Sequence, residues 1–105
     1  MDDAITPTPD LNSPTSFYIP SDLQGCFLEL DSMLPASMRE DIRACEEANL
    51  VQHHFGLGMW MRNNWGLWSA ESPLKQYFDR QEIHDADDAS GMILKSYWLR
   101  LNSKS

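Results

Sequence analysis

Beyond residue 16, apolar side chains recur every three or four positions, and no run of alternating β-branched residues occurs. The period is helical throughout, with no strand signal. Leu23, Cys26, Phe27, Leu30 and Leu34 predict a first helix over 21–34. Ser21 and Gln24 have the spacing of a reciprocal capping box at its start, and Asp22 puts a negative charge where the helix dipole favours it. Pro35 ends this helix or starts the next segment. Ser37 and Glu40 repeat the capping pattern, and Met38, Ile42 and Cys45 form a narrow apolar stripe, predicting a second helix over 37–47. Leu50, His54, Leu57 and Met61 fall on one side of a third, buried helix over 50–61. Gly56 and Gly58 weaken it by about 1 kcal/mol each relative to Ala but permit close approach of a neighbour. Asn63, Asn64 and Gly66 mark its stop.

Ser72-Pro73 has the form of an N-cap followed by proline at the first helical position, opening a short helix over 73–80. Asp85 caps a final helix whose broad apolar face carries Met92, Ile93, Tyr97 and Leu101. Asp87 and Asp88 lie in its first turn, with Lys95, Arg100 and Lys104 toward its end. Residues 1–16 are rich in Pro, Thr, Ser and Asp and offer little burial to offset ordering, so they read as a flexible or loosely docked arm. Residues 17–105 make one domain. The expectation is all-α: a small compact bundle of four to five short helices around an aromatic core. Four Trp, three Tyr and four Phe supply that core, each ring burying about 150–250 Å².

Charge narrows the partners. The formal net charge is −8, and it is unevenly placed. Residues 1–16 hold three acids and no base; residues 17–47 hold seven acids against Arg39 and Arg43; residues 48–105 are balanced, with six of each sign. The excess therefore sits in the first half. It repels phosphate backbones and anionic lipid, which argues against nucleic acid and membrane, and it attracts a basic protein. No apolar run is long enough to span a bilayer. The start, Met1-Asp2-Asp3, lacks the basic and apolar regions of a secretory signal, so a cytoplasmic setting is expected. In that reducing setting Cys26 and Cys45 are expected as free thiols.

The segment His54-Phe55-Gly56-Leu57-Gly58-Met59-Trp60-Met61-Arg62-Asn63-Asn64-Trp65-Gly66-Leu67-Trp68 stands out for its Trp, Asn and Gly content. It resembles the centre of an uncharacterised bacterial domain family reading HFGLGxWIRNNWGLW. The family's later blocks, SxLxxYF, GIxHPDDMSxIIL and SYxxxLN, correspond to stretches beginning at Ser72, Glu82 and Ser96. This chain departs from them where Ala86 and Ala89 stand for the family's Pro and Met, where Asp85 is inserted, and where Glu82 replaces a frequent Gly. The resemblance covers roughly residues 20–102. It implies a shared fold that stands alone, and no activity.

Two readings of that block are open. As a ligand or interaction site, Arg62 contributes a planar five-donor fork, Asn63 and Asn64 contribute amides, and Trp65 and Trp68 contribute flat apolar area. As structure, the Trp rings fill the core, the Asn side chains cap a helix end and turn, and Arg62 pairs with Asp87 or Asp88. No catalytic residues are expected, because no nucleophile sits in a G-x-S-x-G context and no phosphate-binding glycine loop occurs. His53 and His54 point about 100° apart on a helix, and C-x-x-C and H-E-x-x-H spacings are absent, so no metal or cofactor is expected. Asp85-x-Asp87-Asp88 lacks the Gly and the final Glu of a calcium loop.

The function expected from these features is a non-enzymatic acidic protein-interaction module. Its concrete form is an inhibitor or immunity-like protein binding a basic effector (a nuclease, toxin or defence protein) through Glu40, Asp41, Glu46 and Glu47. The alternative is a small-ligand or peptide-sensing domain centred on Arg62, Asn63, Asn64, Trp65 and Trp68. A small hydrolase using His54 or His84 is the third class considered. Oligomeric state is not encoded in any of these patterns.

Overall fold

A computed structural model describes residues 5–103. Five α-helices follow in order: α1 (Leu23–Met33), α2 (Ala36–Ala44), α3 (Met59–Asn64), α4 (Pro73–Arg80) and α5 (Ala86–Asn102). Between α2 and α3 the chain runs through a 3₁₀ helix, Glu47–His53, and a π turn, His54–Gly58. Among the described residues there is no strand, only a single antiparallel bridge between Pro9 and Phe17. The fold is all-α with an aromatic cluster. No described helix is long and apolar enough to cross a membrane.

The central element is α5, about 25 Å long at 1.5 Å per residue. It packs against α1, α2, α3 and both non-α segments. Its buried face carries Ala86, Ala89, Ser90, Ile93, Leu94 and Tyr97. Small residues near its start let the π turn approach. At Gly91 an added Cβ would lie 3.1 Å from the His54 ring, so that imidazole rests directly on α5. Farther along, the Tyr97 hydroxyl donates to Asp31 on α1 at 2.7 Å, and the Trp98 indole N–H donates to the Cys45 carbonyl at 2.9 Å.

Aromatic rings meet in separate groups. Trp60 meets Phe17 at 5.8 Å and Trp65 at 5.9 Å; Phe27 meets Tyr97 at 6.1 Å, with Arg100 over the Phe27 face at 5.2 Å. Both cysteines are free, Cys26 buried and Cys45 half-buried. Burial pushes the Cys26 thiol far above its ordinary pKa, with the charge of Asp22 adding to it.

Several helix boundaries differ from those the pattern predicts. Asp22, not Ser21, caps α1, accepting from the Gly25 N–H at 2.7 Å. The first helical residue is Leu23, so Ser21 stands one position too early to reach the free N–H groups. The second helix opens at Ala36 without a side-chain cap at Pro35, whose carbonyl takes the Met38 and Arg39 N–H groups at 3.0 and 3.1 Å. It stops at Ala44 rather than 47 because Cys45 and Glu46 are extended, at ψ 157° and 155°. The stretch 50–61 is not one α-helix but part of three helical forms. The Met59 N–H reaches back to the His54 carbonyl, the five-residue step of a π turn.

Residues 5–16 lie along the bundle. Thr6 N–H donates to the Met33 carbonyl at 2.8 Å, and Thr8 donates through its N–H and hydroxyl to the buried Glu29 carboxylate at 3.0 and 3.1 Å. At the far end the Thr15 hydroxyl donates to the Asn64 carbonyl at 2.6 Å. The first four residues of the arm, and Lys104, expected toward the end of the last helix, lie outside the described residues.

Candidate functional site

Two surfaces were singled out by sequence, and each is divided by the fold. In the central block, Arg62 is buried against α5. Its Nη1 donates to Ser90 Oγ at 2.9 Å, its Nη2 reaches the His54 carbonyl at 3.4 Å, and its Nε faces Asp87 Oδ1 at 3.2 Å. Of the two carboxylates considered as partners, Asp87 is the one engaged. All three faces of the guanidinium thus serve the α3–α5 contact and the π turn. Gly58 leaves room for it, since a Cβ there would lie 3.2 Å from Arg62 Nη1.

The rest of the block separates by side. Trp65 is fully buried, and its indole N–H has no hydrogen-bond partner among the described residues. Trp68 is 64% exposed and donates to Asn63 Oδ1 at 3.2 Å. Asn64 donates to the Trp60 carbonyl at 3.0 Å. Arg62, Asn63, Asn64, Trp65 and Trp68 therefore do not converge on a shared opening.

The acidic set is likewise divided. Glu40 is held in an ion pair by Arg43, whose Nε donates to it at 2.9 Å, and this hydrogen bond keeps its carboxyl below the ordinary range. Glu47 pairs with Lys95 of α5 at 2.7 Å. Asp41 and Glu46 are exposed, and neither side chain has a salt bridge among the described residues. Asp41 lies close enough to His53 for its charge to favour the protonated ring, although desolvation is the larger influence and lowers the His53 pKa. The free negative charge of this region is therefore carried by Asp41 on α2 and by Glu46 at the entry to the 3₁₀ helix.

Sequence reasoning missed an apolar cleft beside α2. It has a volume of about 240 Å³ and is lined by Ile5, Met38, Gly56, Leu57 and Trp60. The residues come from the arm, α2, the π turn and α3. Gly56 and Trp60 belong to the conspicuous central block, but nothing local tells which of its side chains face outward. A second, more polar cleft of about 250 Å³ lies between the arm and α4, among Asp10, Asn12, Ser13, Pro14, Tyr18, Ile19 and Pro73. Neither cleft is lined by Arg62, Asn63, Asn64, Trp65 or Trp68.

A short polar chain runs from α4 to His84. Asp79 is bridged by Lys75 and by His84 Nδ1, the latter at 2.8 Å, and both hydrogen bonds hold its carboxyl below the ordinary range, Lys75 most. No group of three His, Cys, Asp or Glu among the described residues is placed to hold a metal ion.

No curated protein and no solved structure matches the chain. The family model of a domain of unknown function, DUF6794, matches residues 19–101, from the residue before Pro20 to the last turn of α5. That span takes in all five helices and both non-α segments, and the chain belongs to this DUF6794 family.

Proposed function

We propose that the chain is a non-enzymatic protein-interaction module that binds a more basic protein through its acidic first half, in the manner of an inhibitor or immunity-like protein acting in the cytoplasm. The observation that supports this reading is the state of Asp41 and Glu46. Both are exposed and unbridged, in a region where acids outnumber bases by five. Charges left unpaired within the molecule are free to pair across an interface. They steer encounter over roughly a Debye length, about 8 Å at physiological salt. Glu40 and Glu47, already bridged by Arg43 and Lys95, contribute field more than contacts.

The test is a pull-down from native host lysate with tagged wild type beside the Asp41→Lys/Glu46→Lys double variant. These exposed positions lie outside the core, so the fold survives the exchange. A basic protein retained by wild type at low salt, lost at high salt and weakened at least about tenfold by the double variant supports the reading. Retention unchanged by salt and by charge reversal overturns it.

A further inference from the structure

Four of the five glycines have a reason inside the molecule. A Cβ would meet Asp22 Oδ1 at 3.1 Å at Gly25, Arg62 at 3.2 Å at Gly58, Ser72 at 2.9 Å at Gly66 and the His54 ring at 3.1 Å at Gly91. Gly56 has none: a Cβ built there meets nothing within 4 Å. Its backbone lies in the π turn without a positive φ, so an ordinary side chain would fit and would favour helix by about 1 kcal/mol over Gly. What its missing side chain leaves open is the apolar cleft between Met38, Leu57, Trp60 and Ile5. The π turn widens the backbone at this point, a feature that recurs at functional sites.

Exposed apolar side chains also cluster along the stretch of chain that supplies Gly56, Leu57 and Trp60. Phe55 is 77% exposed and Val51 58%, and Met59 stands one turn on from Phe55 at 47%. The α2 wall of the cleft, Met38, brings one acid near. Asp41 follows Met38 by three residues on α2, which makes the two side chains neighbours on one helix face. The volume, about 240 Å³, is below the 300–1,000 Å³ of typical small-molecule sites and suits one or two side chains.

We propose that this cleft receives an apolar side chain of a basic protein partner, borne on a segment whose flanking lysines or arginines meet Asp41 and Glu46. The proposal rests on the reading of the chain as a binder of a basic protein, and adds the anchor that reading lacks. Charge complementarity selects the occupant. A second copy would set one acidic surface against another, and an anionic membrane would be repelled. Trp60 is the wall against which the anchor packs, in keeping with the enrichment of Trp among residues that carry interface energy.

The probe is a synthetic amphipathic peptide with a leucine face flanked by lysines, beside the same peptide with serine for leucine, titrated into labelled protein and followed by NMR. Expected are binding of the leucine peptide alone and movement of the Met38, Gly56, Leu57 and Trp60 signals. Gly56→Leu, which fills the cleft, weakens binding at least about tenfold, and Gly56→Ala weakens it by less, both with an unchanged or higher urea midpoint. Salt-sensitive binding that is unaffected by either Gly56 variant, with the Trp60 indole signal still, overturns the cleft and leaves the acidic-face reading standing. Loss on Gly56→Leu without any response to salt or to Asp41→Lys/Glu46→Lys overturns the basic partner instead. Failure of the leucine peptide to bind, or a wild-type dimer that Gly56→Leu dissociates, overturns the proposal.

Discussion

Two residues with positive φ end helices, and they are chemically opposite. After α3, Gly66 adopts φ +69°, and the Leu67 N–H returns to the Arg62 carbonyl at 3.1 Å. After α4, Glu82 adopts φ +62°, with its N–H on the Asp79 carbonyl and that of Ile83 on the Phe78 carbonyl, both at 2.9 Å. The second pattern is a Schellman motif, complete with the apolar pair Phe78 and Ile83, and its left-handed position ordinarily belongs to Gly. A residue with a Cβ costs about 1–2 kcal/mol there. Glu82→Gly is expected to raise stability by about 1 kcal/mol in urea unfolding. Gly66→Ala is expected to lower it by about 2 kcal/mol or more, because its Cβ would also lie 2.9 Å from that of Ser72.

At the scale of elements, the Ser72 cap was legible, whereas Ser37 lies inside α2 and Asp85, although at the N-cap position of α5, makes no side-chain cap hydrogen bond. Ser72-Pro73 opens α4 as expected, with Ser72 Oγ accepting from the Lys75 N–H at 3.3 Å. Local reading could not reveal the second bond of the same hydroxyl, donated at 2.8 Å to the Trp65 carbonyl, seven residues upstream. Ser72 thus caps one helix and satisfies the buried end of another. Ser72→Ala is expected to cost about 2–3 kcal/mol, the cap plus an unpaired buried carbonyl, in the shift of the urea midpoint. Ser21→Ala, at the cap position expected from sequence but displaced by Asp22, is expected to change stability by less than about 0.5 kcal/mol. The 50–61 stretch misled for a different reason. Its apolar spacing is helical, but spacing does not distinguish α from 3₁₀ and π forms when glycines lower the cost of switching.

At the scale of the whole molecule, α5 is tied to α1 by Tyr97 and Asp31. Burial pushes the Tyr97 phenol well above its ordinary pKa of 10, and the Asp31 hydrogen bond and charge add to this. A folded pKa above the unfolded one means that this contribution is complete below pH 10. It is lost as pH rises beyond 10, where the unfolded chain ionises first. Urea midpoints measured from pH 8 to 11 are expected to fall at the alkaline end for wild type, and less steeply for Tyr97→Phe. An equal slope in both would remove Tyr97 from the account. Folding also redistributes the charge. The first half is acidic by composition, but of the set Glu40, Asp41, Glu46 and Glu47, two are bridged by Arg43 and Lys95, and Asp41 and Glu46 are left without an ion pair among the described residues.

Sequence alone determined the helical class, the placement of α4 and α5, the free thiols and the acidic asymmetry, because each depends on near neighbours, on residue composition or on pattern within one turn. In one of two open readings of the central block it also offered a carboxylate such as Asp87 or Asp88 as the partner of Arg62. Only tertiary structure decided that Asp87 is the partner, that Trp65 is buried while Trp68 faces out, and that the arm is held by Glu29. Only tertiary structure set Ile5 and Met38 beside Gly56, Leu57 and Trp60. Those side chains belong to four elements separated by many residues. Whether an apolar residue fills a core or lines a cleft depends on what packs over it, and no local period carries that information.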